Sequence, residues 1–261
     1  MPNPSTDPTD ALVSIGTPTA ENEPPAPEVV PTYAADPGDH DAILDEFLAA
    51  HDDWEKWRTW SDDTTHAIHE SQTLRIERVH EAHPQDTAWT VAAYESPVSD
   101  RIWHLTATGA TPAPIVRALL TALTDEDDLL AEADQVTREI VAEVTRPLAD
   151  VGWQPTASRH GLHWKPHNGE VRLTFDATAA AYPRDRLNTW RLWAGQDIDR
   201  AEWVIRASDY TPASILSHLA GELAHGIGAR QHHPRPLKLP TPSATTLPSR
   251  PPHQPPAPRL R

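Results

Sequence analysis

The 261-residue chain has no cysteine, one methionine and two phenylalanines. Without cysteine it has no disulfide, no thiolate metal site and no cysteine nucleophile. No stretch reaches the roughly 18 consecutive apolar residues of a membrane-spanning helix. The N-terminus lacks the basic start and apolar centre of a secretory signal, so a cytoplasmic protein is expected. Also missing are a Gly-rich phosphate loop, a nucleophile elbow and a paired-carboxylate pattern. No cofactor is expected, and the balance leans away from an enzyme.

Charge of one sign is missing at each end. Residues 1–40 contain seven acidic side chains and no Lys or Arg, while the chain from Arg230 onward has six basic side chains and no acid. Nine of the 28 prolines lie in the first segment and ten in the last. Too few large apolar groups remain there to offset the entropy of ordering, which predicts an acidic disordered arm over 1–40 and a basic disordered tail over 230–261. The body between them carries nearly all of the net charge of −16. Such a field repels phosphate backbones, so nucleic-acid contact is expected only through the basic tail.

What the body does contain is a repeat. Trp103, Ala107, Thr111, Pro112, Ala113, Ile115, Leu119 and Leu123 recur without a gap as Trp203, Ala207, Thr211, Pro212, Ala213, Ile215, Leu219 and Leu223. Two tandem repeats are therefore predicted, 41–124 and 135–229, joined by an acidic connector at 125–134. The pattern indicates an α+β fold in which each repeat is a helix, a four-stranded antiparallel meander and a C-terminal helix packed on one sheet face.

The strands are placed at 160–164, 171–175, 189–194 and 203–207, where aromatic and branched residues alternate with polar ones. His66, Ile68 and His69 are matched to His160, Leu162 and His163. Thr211 followed by Pro212 reads as a helix start, with the threonine oxygen capping free amides and proline opening the first turn. Ile43, Phe47, Trp54 and Trp57 are assigned to one side of the opening helix, with Trp60 at its exit. Val136, Ile140 and Val144 form a second opening helix, Pro147 begins a new short one, and Gly152 ends it.

Several of these segments resemble one family. Residues 203–213, which read Trp-Val-Ile-Arg-Ala-Ser-Asp-Tyr-Thr-Pro-Ala, are similar to the SPDY domain, an uncharacterised bacterial family whose members often carry the unit twice. Gly152-Trp153, the segment 189–195 and the tryptophan-rich stretch 53–60 are similar to it too. The resemblance covers about 41–229 and implies architecture without an activity. Ser208, Asp209 and Tyr210 lack the proline of the family's motif, and the first copy has Thr108, Gly109 and Ala110 there.

Candidate sites follow from where the copies differ. Ser208, Asp209 and Tyr210 precede a helix N-terminus, where free amides can hold a polar ligand. Trp193 and Val204, with Tyr94, Ile102 and His104, are expected on the sheet face away from the helices. An apolar patch there suits a protein partner, self-association or packing of the two copies against each other. His66/His69 and His160/His163 fall on opposite strand faces, so no metal site is expected. The reading is a non-catalytic interaction or regulatory protein. The alternatives are a small-ligand or enzymatic site at Ser208–Tyr210, and weak nucleic-acid contact through the tail.

Overall fold

A computed structural model describes residues 26–58, 63–124, 129, 135–181 and 188–231. Among these residues the protein is α+β, with five α-helices and a large antiparallel sheet. The strands of the first half are β2 (Trp54–Arg58), β3 (Thr64–His69), β4 (Leu74–Val79), β5 (Thr87–Tyr94) and β6 (Arg101–Thr108). Those of the second are β7 (Thr156–Ala157), β8 (Gly161–Trp164), β9 (Val171–Asp176), β10 (Trp190–Ala194) and β11 (Trp203–Ala207). All belong to one ten-stranded sheet in the order β2-β3-β4-β5-β6-β11-β10-β9-β8-β7, so the expectation of four strands per repeat is corrected to five: β2 and the two-residue β7 extend the meanders at their outer edges.

Period-two patterning decides which face is buried. Trp89, Val91, Trp103, Leu105, Leu173, Trp190, Leu192 and Ile205 are at most marginally accessible and point to one side. The helices α1 (His40–Ala50), α2 (Ala113–Ala122), α3 (Arg138–Asp150) and α5 (Ala213–His225) cover that side, with α1 against α2, α2 against α5 and α5 against α3. Ile115, Leu119, Val144, Leu148, Leu216 and Leu219 complete one continuous core with the sheet. The short helix α4 (Ala177–Ala181) follows β9. Among the described residues no helix is long and apolar enough to cross a membrane.

The halves meet at the β6–β11 seam, where Ile205 lies opposite Ala107, Arg206 opposite Thr106, and Ala207 opposite Leu105. They join edge to edge, so the expectation that the copies pack through their outward faces is corrected. Beyond the ladder, hydroxyls take the place of strand carbonyls. The His104 amide donates to Ser208 Oγ at 3.0 Å, and the Val204 amide donates to Thr108 Oγ1 at 3.1 Å. Ser208 N returns a bond to the His104 carbonyl at 2.9 Å.

Helix ends obey local chemistry. Asp39 caps α1, its carboxylate accepting from the Asp41 and Ala42 amides at 3.0 Å each. At the end of α3, Gly152 adopts φ +88°, the Trp153 amide reaches the Leu148 carbonyl and the Gly152 amide reaches Ala149. That bond pair is the left-handed cap expected of Gly152.

Other expectations need correction. Trp54 and Trp57 lie in β2, because α1 ends at Ala50 and His51 Nδ1 bonds the Phe47 carbonyl at 2.7 Å. Spacing of three fits a helix face, but in a strand it separates the rings. Trp54 packs on Phe47 in the core and Trp57 is 57% exposed. Trp60 lies outside the described residues. Pro147 sits inside α3 and starts no new helix. A proline there costs about 3 kcal/mol, but Val141, Val144 and Leu148 are buried on either side of it, each contributing roughly 1.5–3 kcal/mol.

Thr111 and Thr211 make no capping bond, and the prolines after them sit at the N-cap with ψ 139° in both helices. Thr211 Oγ1 instead lies 3.2 Å from Ser208 Oγ, and Thr111 Oγ1 lies 3.5 Å from Thr108 Oγ1. The histidine match is shifted as well. Ala67 pairs with Ile76 and Trp164 with Leu173, which makes Ala67 the counterpart of Trp164 and leaves Ile68 and Leu162 on opposite faces.

The expectation of a disordered arm over 1–40 is corrected for 26–40, while residues 1–25 lie outside the described residues. β1 (Glu28–Pro31) pairs antiparallel with β12 (Ile227–Arg230), and Thr32 and Tyr33 in the following 3-10 turn are buried. Polar bonds recruit this segment: Thr32 Oγ1 donates to Glu222 at 2.8 Å and the Trp203 indole donates to the Tyr33 carbonyl at 3.0 Å. The connector from 125 to 134, except for Leu129, and the tail from 232 lie outside the described residues.

Candidate functional site

The turn before α5 is built inward. Ser208 is buried, and its hydroxyl is engaged by the His104 amide and the Thr211 hydroxyl. Asp209 is 5% exposed, and its Oδ2 has no hydrogen-bond partner. Burial pushes its carboxyl above the ordinary carboxylate range, while the amides of Asp209 and Tyr210 pull it down less. Tyr210 packs half-buried against the main core. Residues of this turn line neither of the clefts described below.

In the first copy Gly109 occupies the place of Asp209. A Cβ there would stand 3.3 Å from the His83 carbonyl oxygen. The Gly109 and Ala110 amides donate to the Asp86 and Pro84 carbonyls, so the β4–β5 loop closes directly over the turn. The difference between the copies is thus glycine under a loop in one and a buried acid in the other.

The face of the sheet away from the four covering helices carries the remaining candidates. Trp193 and Val204 are 5% and 4% exposed, because the 3-10 turn Ile198–Arg200 folds over them and adds Ile198 and Ala201 to a small second core. The Arg172 guanidinium stacks over the Trp193 ring at 4.7 Å. The expectation of an exposed apolar patch at Trp193 and Val204 is corrected accordingly. Tyr94 is half-buried beneath Arg75, whose guanidinium lies 4.5 Å from its ring, and Ile102 and His104 are half-buried.

What this face offers instead is polar and cationic. Strand register aligns Thr90, Thr106, Arg206, Arg191, Thr174 and His163 in one row across β5, β6, β11, β10, β9 and β8. Arg191 and Arg206 stand directly opposite each other, an arrangement that like charges disfavour. Asp176 approaches Arg191 at 3.5 Å, whereas Arg206 has no carboxylate partner among the described residues. Burial first, and Arg191 second, push the Arg206 guanidinium below its ordinary value. His163 and His104 are lowered by burial and then by nearby cations, Arg172 and Lys165 in one case and Arg101 in the other. The half of the sheet that belongs to the second copy is positive on a strongly acidic chain.

Two clefts lie near β1. One, of about 1140 Å³, is open and polar, with Tyr33, Asn168, Glu170, Asp199, Arg200 and Arg230 among its walls. The other, of about 490 Å³, runs between Val29, Val151, Trp153 and Ile227. Among the described residues no three His, Asp or Glu side chains converge as metal ligands would. His69 contacts Asp53 at 3.0 Å, and His40 sits between the Thr111 carbonyl at 2.8 Å and the Trp89 indole at 3.1 Å. Sequence reasoning missed the arginine pair because adjacency across strands depends on pairing order and register. The one available signal was a run of second-copy arginines at outward strand positions.

No curated protein and no solved structure matches the chain. A family model described as SPDY, Domain of unknown function (DUF317), matches residues 70–129 and again 147–229. These matches span more than half of the sequence, and the chain belongs to the SPDY (DUF317) family.

Proposed function

We propose that the protein is a non-catalytic interaction protein made of two units of one plan, each a helix, a five-stranded meander and a helix, with a partner docking on the uncovered sheet face. The seam register supports the two-unit reading. Leu105 and Ile205 are equivalent by repeat, as are Ala107 and Ala207, and each member pairs with the other's counterpart. A twofold relation between units produces that self-complementary pattern. The hydroxyl contacts of Thr108 and Ser208 obey the same relation.

The observation that carries the functional reading is the pair of facing arginines, Arg206 without a carboxylate partner among the described residues and Arg191 with Asp176 alone, on the sheet face that the four large helices leave bare. Building it costs stability through like-charge repulsion, and a partner of opposite charge recovers that cost. The rival reading, a ligand or catalytic site at Ser208, Asp209 and Tyr210, draws on the buried acid. Against it, the Ser208 hydroxyl is committed to the seam and neither cleft reaches the turn.

Affinity capture from the native cell with the full chain, with Arg206→Glu, and with the cleft variant Asp199→Lys tests the reading. Loss of the captured partner with Arg206→Glu alone is the expected outcome. Retention with Arg206→Glu contradicts the docking face, and a hydrolytic or transfer activity abolished by Asp209→Ala contradicts the non-catalytic role.

A further inference from the structure

Building on that reading, we infer that Arg191 and Arg206, flanked by the Thr174 and Thr106 hydroxyls, form a binding site for a phosphate group presented by a phosphorylated segment of a partner protein. The register places the four side chains in one line, Thr106–Arg206–Arg191–Thr174, with each neighbour directly opposite the next across a strand pair. Opposed side chains in a sheet stand about 4.5–5.5 Å apart at Cβ. Two guanidinium forks at that spacing bracket one tetrahedral dianion, and a hydroxyl donor is available at each end.

The donors are free to be used. Arg206 makes no ion pair with a protein group among the described residues, and the Thr106 and Thr174 hydroxyls make no hydrogen bond there. Arg191 is held loosely by Asp176 at 3.5 Å, longer than a direct charge-assisted hydrogen bond. Carboxylates on this face lie to the sides: Asp176 also caps α4 through the Thr178 and Ala179 amides, and Glu77 faces His66 at 3.8 Å on the first copy.

Three observations choose the carrier. The row lies on an open sheet that lines neither cleft, and small ligands need enclosure. The chain's net charge of −16 opposes a long polyanion but tolerates one or two phosphates placed locally. The aromatic ring beside the row, Trp193, two residues along β10 from Arg191, is covered by Arg172, so it offers no platform for stacking bases. Recognition of a phosphorylated segment by an arginine cluster meets all three conditions.

The repeat supplies an internal comparison. The positions of Arg206 and Arg191 are held in the first copy by Thr106 and Thr90, and that of Thr174 by Glu77. One unit therefore has a cationic row and the other does not, which gives one site per chain.

Calorimetric titration of the full chain tests the assignment. The probes are inorganic phosphate, a glycine-flanked phosphoserine peptide, its unphosphorylated form, and a single-stranded DNA oligomer. We expect phosphate and phosphopeptide to compete for one site, the unphosphorylated peptide not to bind, and Arg206→Gln to weaken binding by about tenfold or more. Because Arg206 faces Arg191 without a partner, the same variant should melt no lower than the parent, which separates lost binding from lost folding. Phosphate affinity unchanged in Arg206→Gln overturns the site. So does tighter binding of DNA that disappears on removing 232–261, or binding that responds only to Arg200→Gln in the cleft. If phosphate fails while Arg206→Glu still abolishes partner capture, the phosphate assignment falls and the docking face stands.

Discussion

Asp209 shows at the scale of one residue how the copies diverge under a shared fold. Its carboxyl is buried with Oδ2 unpartnered, and burial raises its pKa above the ordinary value of 3.8. Between that value and the raised folded value, the native state holds a proton that the unfolded chain has released. Stability from this group therefore rises as pH falls through the folded pKa, and at neutral pH the native state carries the cost of a buried charge. Asp209→Asn removes that charge and keeps the shape. Chemical denaturation at pH 7 should show a gain of about 1 kcal/mol, and the acid-side rise should shrink. A loss of stability would mean that the ionised carboxylate is held by a partner.

Elements are where the sequence was most readable. The strands β8 to β11, the apolar stripe of α5 and the cap at Gly152 were legible because each rests on a local period or on one backbone conformation. Trp54 and Trp57 were misassigned because a spacing of three satisfies both a helix face and two sides of a strand. Thr111 and Thr211 were misread as caps because their hydroxyls turn back to Thr108 and Ser208, three residues earlier, whose own hydroxyls accept amides from across the seam. The candidate site was less legible than the fold, since register and the covering turn Ile198–Arg200 decide which outward residues remain accessible.

The seam hydroxyls can be tested at the same scale. Ser208→Ala leaves the His104 amide without its acceptor at a half-buried position. A cost of about 1–2 kcal/mol is expected in thermal or urea unfolding, with a similar cost for Thr108→Ala on the opposite side. An unchanged midpoint in both variants would remove the hydroxyls from the account of how the halves are joined.

For the whole molecule, edge-to-edge fusion has two consequences. It consumes one edge of each meander, leaving β2 and β7 as the edges of the sheet, and lets the four covering helices share one core. It also lays the outward faces of both units side by side as one broad surface, on which the first unit is mixed in charge and the second is positive. Duplication thus supplied a scaffold, and divergence at Thr90/Arg191 and Thr106/Arg206 supplied a site. Amide and indole NMR of the full chain titrated with inorganic phosphate tests this claim most directly. Shifts centred on residues 104–106, 174, 191 and 206 and on the Trp193 indole are expected. Shifts centred on 168–170 and 195–200, or on the turn 208–212, would contradict it.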